Sequence, residues 1–221
     1  VVRFDSTERA VEKTPEKSPL LILADDYPEK ATPISEKMLD KIIARNIKLF
    51  IEYPLSLPEI DLGKPHTTKF ERLVVTDNFF GSELPEMSLL AVNGLRFLPV
   101  KTEKPIISAA RVAGFDNAVF GLPKESSSIL FKYPKGNILV STTKLSHFVT
   151  GRYGPQASWK ILWQKIFEQL GKTIKLDWTP MVTATYKPDE QMPEDVERLA
   201  LKRASDWFIN SKLLLHPSRV K

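Results

Sequence analysis

One histidine, one arginine and one tyrosine stand close together at His147, Arg152 and Tyr153, just after an apolar run at residues 138–141. An imidazole moves protons near neutral pH, which makes His147 the candidate catalytic residue. A guanidinium with a phenol beside it suits an anionic group such as a uronic acid carboxylate. Four carboxylates follow apolar runs in the same manner: Asp25 and Asp26 after residues 20–24, Glu52 after residues 49–51, and Asp77 after residues 73–76. Read as strands of one open α/β sheet, these runs bring the acids and His147 to the carboxyl ends of strands, where such sheets bind ligands. Tyr27, Tyr53, Phe79 and Phe80 fall in the same loops. Carboxylates that accept sugar hydroxyls, with aromatic rings beside them, are what an oligosaccharide groove requires.

Each of these residues has a plainer reading. Acids after strands also cap helices or bond loop amides. A loop histidine also bonds to backbone, and Arg152 also pairs with a rim carboxylate to hold its loop closed. His66 and His216 have no partner at ligand spacing, and a metal set of Asp25, Asp77 and His147 would have to assemble in space. No metal and no cofactor is expected. Gly114 and Gly121 sit in turns with too few glycines to cradle a phosphate.

The elements that must position these groups follow from periodicity. Residues 20–24 and 49–51 are continuous apolar runs, the pattern of strands buried on both faces. Between them Thr32 and Pro33 mark a helix start; Ile34, Met38, Leu39, Ile42 and Ile43 form one stripe, and Asn46 closes the helix. Strand, helix and strand make a βαβ unit with a right-handed crossover. Residues 55–69 read as a loop and 73–76 as a strand. Shorter strands are expected at 89–92, 96–100, 106–112, 118–120, 129–133 and 138–141, so the middle of the chain is β-rich with hairpins. After the histidine loop, Trp159, Leu162, Trp163, Ile166, Phe167 and Leu170 form one broad helical face, with Pro155 near its start and Gly171 past its end. The expected organisation is an N-terminal arm at 1–18, an α/β domain at 19–172, an extended linker at 173–193, and a terminal amphipathic helix at 194–221. That last helix either docks back or opens a further domain.

The 221 residues carry a net charge of +5, from 32 basic against 27 acidic residues spread along the chain, so no nucleic-acid partner is expected. The absence of cysteine excludes disulfides, thiolate metal sites and cysteine nucleophiles. No apolar run reaches the ~20 residues that span a bilayer. A chain beginning at Val1 fits a mature or excised piece, and a removed signal peptide would fit export.

Residues 135–171, together with the βαβ opening at 20–54, resemble the class I glutamine amidotransferase-like domains, in which a late strand ends at a histidine-bearing loop and leads into a C-terminal helix. The resemblance implies a flavodoxin-like three-layer sandwich with a mostly parallel sheet, to which hairpins are added here. Active members attack an amide with a cysteine on a strand-to-helix elbow, activated by a histidine and a glutamate. Only His147 matches by position; the cysteine and its elbow are missing, so the amidotransferase reaction is excluded and the active site is degenerate. Residues 200–211 are similar to the first helix of the (α/α)-barrel in some bacterial polysaccharide-degrading proteins. Together these likenesses imply an accessory or scaffold domain of an exported, periplasmic or secreted glycan-processing protein of the Bacteroidetes type. Its partner would be an adjoining domain or an oligosaccharide at the rim. The alternative is a small hydrolase using His147 with Asp25, Asp26 or Asp77.

Overall fold

The computed structural model describes residues 1–90, 92, 94–114, 116–147 and 157–176, with only the backbone of His147 and Ala157. All of them fall in one unit, Val1–Thr183. The elements are α1 (Thr7–Lys13), β1 (Pro19–Ile22), α2 (Glu36–Ala44), β2 (Lys48–Glu52), β3 (His66–Thr67), β4 (Arg72–Val75), β5 (Leu89–Leu90), β6 (Arg96–Phe97), β7 (Pro105–Ala110), β8 (Ser127–Lys132), β9 (Ile138–Ser141) and α3 (Ala157–Gln169). Short 3₁₀ segments lie at Asn78–Glu83 and Leu145–His147.

The fold is α/β, built on a mixed sheet in the order β1-β2-β9-β8-β7-β4-β5, with β3 and β6 forming a separate two-stranded ribbon. Parallel pairing joins β1 to β2 and β2 to β9. From β9 outward, β8, β7, β4 and β5 each pair antiparallel with the strand before. The expected hairpins are thus part of the main sheet and form its second half.

Continuous apolar character predicts burial on both faces for β2, and Leu49, Phe50 and Ile51 are all fully enclosed. Leu49 and Ile51 pack with Ala10 and Val11 of α1 and Met38, Leu39 and Ile42 of α2. Phe50 faces the other way, against Trp159, Trp163 and Ile166 of α3, its ring edge-on to Trp163 with centroids 5.5 Å apart. The period-two alternation of the strand therefore separates two cores, with helices on both faces of the parallel half.

Three local expectations change. Residues 1–18 contain a helix where no element was expected: Ser6 caps α1, accepting the Arg9 N–H at 3.2 Å, and Ala10 and Val11 enter the core. Arg45 holds this helix by donating to the Val11 and Thr14 carbonyls. Helix α2 starts at Ser35 rather than Thr32, because the Thr32 hydroxyl donates to the Glu52 carbonyl at 2.6 Å and Ser35 accepts from the Met38 N–H. Residues 118–120 form no strand: Ala118 is buried, and Val119 and Phe120 lie exposed in a turn. Asn46 does close α2 in the left-handed region, at φ 49°. The linker beyond Leu176 and the terminal helix at 194–221 lie outside the described residues.

Candidate functional site

The carboxyl ends of β1, β2 and β9 share one edge because the three strands are parallel. The chain leaves β1 toward α2 on one face, and α3, which follows β9 in sequence, packs on the other. Open sheets with such divergence bind ligands over the strand between, and the last residue of that strand here is Glu52.

Glu52 has no exposed surface. Its Oε1 accepts the Ser146 N–H at 2.7 Å, and its Oε2 accepts the Ser146 hydroxyl at 2.7 Å and the Ala24 N–H at 3.3 Å. One carboxyl thus ties the loop after β1 to the loop after β9. Burial raises its pKa above the ordinary 4.5, and the Ser146 and Ala24 donors, with the charge of Lys144, offset that only in part.

A second cluster lies beside it. Tyr53, buried and held at φ 48°, donates its N–H to the Ser141 carbonyl at 2.8 Å. A non-glycine residue in that region is uncommon and is held by its surroundings. Its ring meets Tyr27 edge-on at 5.2 Å. The Tyr27 hydroxyl accepts the Arg96 N–H at 2.6 Å and donates to the Arg96 carbonyl at 2.9 Å. Thr143 donates its hydroxyl to the same carbonyl at 2.7 Å. The β3–β6 ribbon is thereby pinned over the ends of β1 and β9. Burial raises the pKa of both phenols, and the Arg96 charge partly counters it.

The predicted residues separate into three groups. Asp25, Asp26 and Glu52 share the rim, the two aspartates exposed and Asp26 ion-paired to Lys30 at 3.4 Å. Asp77 does not join them. It follows β4, which runs opposite to β1, β2 and β9, so its carboxyl end opens at the far edge of the sheet. Phe79 and Phe80 go with it; Phe80 is fully buried, and Lys132 lies 5.6 Å from the Phe79 ring centroid. A four-residue strand separates the two edges by roughly 13 Å, so Asp25 and Asp77 cannot share one metal ion. Among the described residues no His, Asp and Glu group has metal-holding geometry. The His147 side chain, Arg152 and Tyr153 lie outside the described residues.

Arg96, Thr143 and Ser146 were not singled out from the sequence. Ser146 had a signal, since it precedes His147, but nothing local linked it to a glutamate 94 positions earlier. Arg96 had none, because its place depends on the ribbon crossing the sheet edge.

Comparison with known proteins finds no matching family model, no matching curated protein and no matching solved structure. Among the described residues no helix is long and apolar enough to cross a membrane.

Proposed function

We propose that the chain is a non-catalytic accessory domain of an exported bacterial glycan-processing protein, flavodoxin-like and related to the amidotransferase-like domains, and that it binds carbohydrate at the rim formed by β1, β2 and β9. Export and the glycan context rest on the sequence resemblance. The non-catalytic character rests on one observation: Glu52, the buried acid at the end of β2, is engaged by three donors from Ser146 and Ala24. A carboxyl so occupied positions loops and has little capacity left to take a substrate proton. The exposed Asp25 and Asp26, the latter beside its exposed Lys30 partner, can accept sugar hydroxyls. A glycan-array screen of the whole chain, repeated with Asp25→Ala, tests the reading. Binding of a defined glycan class that Asp25→Ala weakens is the expected result, and no binding to any glycan refutes it.

A second reading has one observation in its favour. Ser146, the neighbour of His147 in sequence, is hydrogen-bonded to a buried carboxyl whose pKa is raised, as in a hydrolase centre. Turnover of ester or glycoside substrates that His147→Ala abolishes would replace the first reading with this one.

A further inference from the structure

A groove of about 550 Å³ opens between α1 and α2, on the face of the sheet opposite α3. Val11 of α1, Ile34 just before α2 and Met38 within it form the floor, and all three are buried. The walls differ in sign. Glu8 and Glu12 of α1 line one side and Lys37 and Lys41 of α2 the other, and all four are exposed. Glu12 and Lys41 meet across the groove at 3.8 Å with both side chains in solvent, a weak pair that can exchange partners. Arg9 and Lys13 of α1, and Glu36 and Asp40 of α2, lie outside the lining, so the separation of sign belongs to the groove and not to the helices as wholes. Leu55 stands beside Pro33, at the end where the chain enters α2. Its N–H is bonded to the Thr32 carbonyl at 2.8 Å, yet the residue is 64% exposed. Single exposed leucines are common, but this one is fixed at the mouth of a groove with walls of opposite charge.

We propose that this groove is a self-association surface, which meets the same groove of a second copy of the chain across a two-fold axis. The argument is charge complementarity. A face with one acidic and one basic wall is complementary to itself: with the axis along the groove, Glu8 and Glu12 of each copy face Lys37 and Lys41 of the other. An axis across the groove would set acid against acid, so the charge pattern selects the first arrangement. The same axis brings the two Leu55 side chains to one end of the joint groove, where each covers the other. A second copy carries the matching pattern by construction, whereas an unrelated partner would have to reproduce it. A small molecule suits the groove less well, because its charged groups stand in solvent on the walls and the Ser35 hydroxyl already accepts the Met38 N–H. Helices of seven and nine residues bound the face. The contact is therefore small and the dimer weak, with a dissociation constant on the order of tens of micromolar. This inference goes beyond the carbohydrate reading and does not depend on it.

The test is sedimentation equilibrium of the whole chain at concentrations from about 5 to about 500 µM, which brackets the expected constant. The parent should pass from monomer to dimer within that range. Leu55→Asp should weaken the dimer roughly tenfold or more, since it places like charges together at the axis. Two charge-reversed variants separate this face from any other. Glu8→Lys with Glu12→Lys makes both walls basic, and Lys37→Glu with Lys41→Glu makes both acidic. Each variant should stay monomeric alone, and an equimolar mixture of the two should form the heterodimer at least as tightly as the parent dimerises. A parent that remains monomeric throughout overturns the proposal. Dimerisation that survives Leu55→Asp and both wall variants overturns it too, as does a mixture that stays monomeric. All five substituted residues are exposed, so the fold should persist, checked by circular dichroism. If a wall variant nevertheless fails to fold, the comparison of the parent with Leu55→Asp decides alone.

Discussion

Replacing Glu52 separates the role of its hydrogen bonds from that of its charge. In Glu52→Ala the Ala24 N–H, the Ser146 N–H and the Ser146 hydroxyl all lose their acceptor. A buried donor left unsatisfied costs ~1–3 kcal/mol. Ala24 is 1% exposed and bears the full cost, whereas Ser146 is only part-buried and regains some water. The expected loss is about 3 kcal/mol, a large share of the stability of a domain this size. Glu52→Gln keeps an acceptor for the Ser146 N–H and donates to the Ser146 hydroxyl, but turns an N–H toward Ala24, and should lose about 1–2 kcal/mol. The charge shows itself in the pH dependence. Because burial raises the pKa of Glu52 in the folded state, folding binds its proton more tightly. Its favourable contribution is complete below the unfolded value near 4.5 and is lost as pH rises through the folded value. Glutamine has no such term, so the parent's advantage over Glu52→Gln should shrink as pH rises through that window. Urea denaturation followed by tryptophan fluorescence, at steps from about pH 4 to about pH 8, measures it. A Glu52→Ala loss below ~1 kcal/mol would refute the bridging role, as would a parent-to-Gln gap that stays constant or widens with pH.

Glu71 should behave in the opposite sense. Burial pushes its carboxyl up, but the N–H groups of Lys69 and Phe70 and the Arg111 guanidinium together outweigh that and hold it at about 2. Its contribution is present above 4.5 and lost as pH falls toward 2, so Glu71→Gln should flatten the acid limb of an otherwise similar urea series. Ser35→Ala should remove the cap of α2 and about 1 kcal/mol, read as a lowered urea midpoint with unchanged slope. Phe50→Ala should cost about 3–5 kcal/mol, because the ring is fully enclosed against α3; a smaller loss would mean that α3 can collapse onto the gap. Asp77→Asn, at the far edge of the sheet, should leave any glycan affinity of the rim unaltered in the same array screen.

Local pattern determined what is local in origin. The apolar runs give β1, β2 and β9; Asn46 gives the close of α2; and the Trp159-to-Leu170 stripe gives α3. Each depends on burial and backbone preference within a few residues, which a single chain displays directly. The helix within residues 1–18 is not legible in the pattern for a related reason. A seven-residue helix offers only a short apolar stripe, and its formation depends on the core and on Arg45 to receive it.

Strand direction is different, because the run at 73–76 reads the same whichever way its neighbours point. Only the pairing of β4 with β7, and of β7 with β8, turns Asp77 away from Glu52. The sequence by itself determined most of the main-sheet strands, helices α2 and α3, the exclusion of cysteine chemistry and the presence of acids at strand ends. The tertiary structure decided which acids share an edge, that Glu52 is closed off by Ser146 and Ala24, and that Tyr27 and Thr143 hold the Arg96 main chain over the rim. Those are contacts across 28, 69 and 94 positions, fixed by long-range pairing and the desolvation it imposes rather than by any neighbour in the chain.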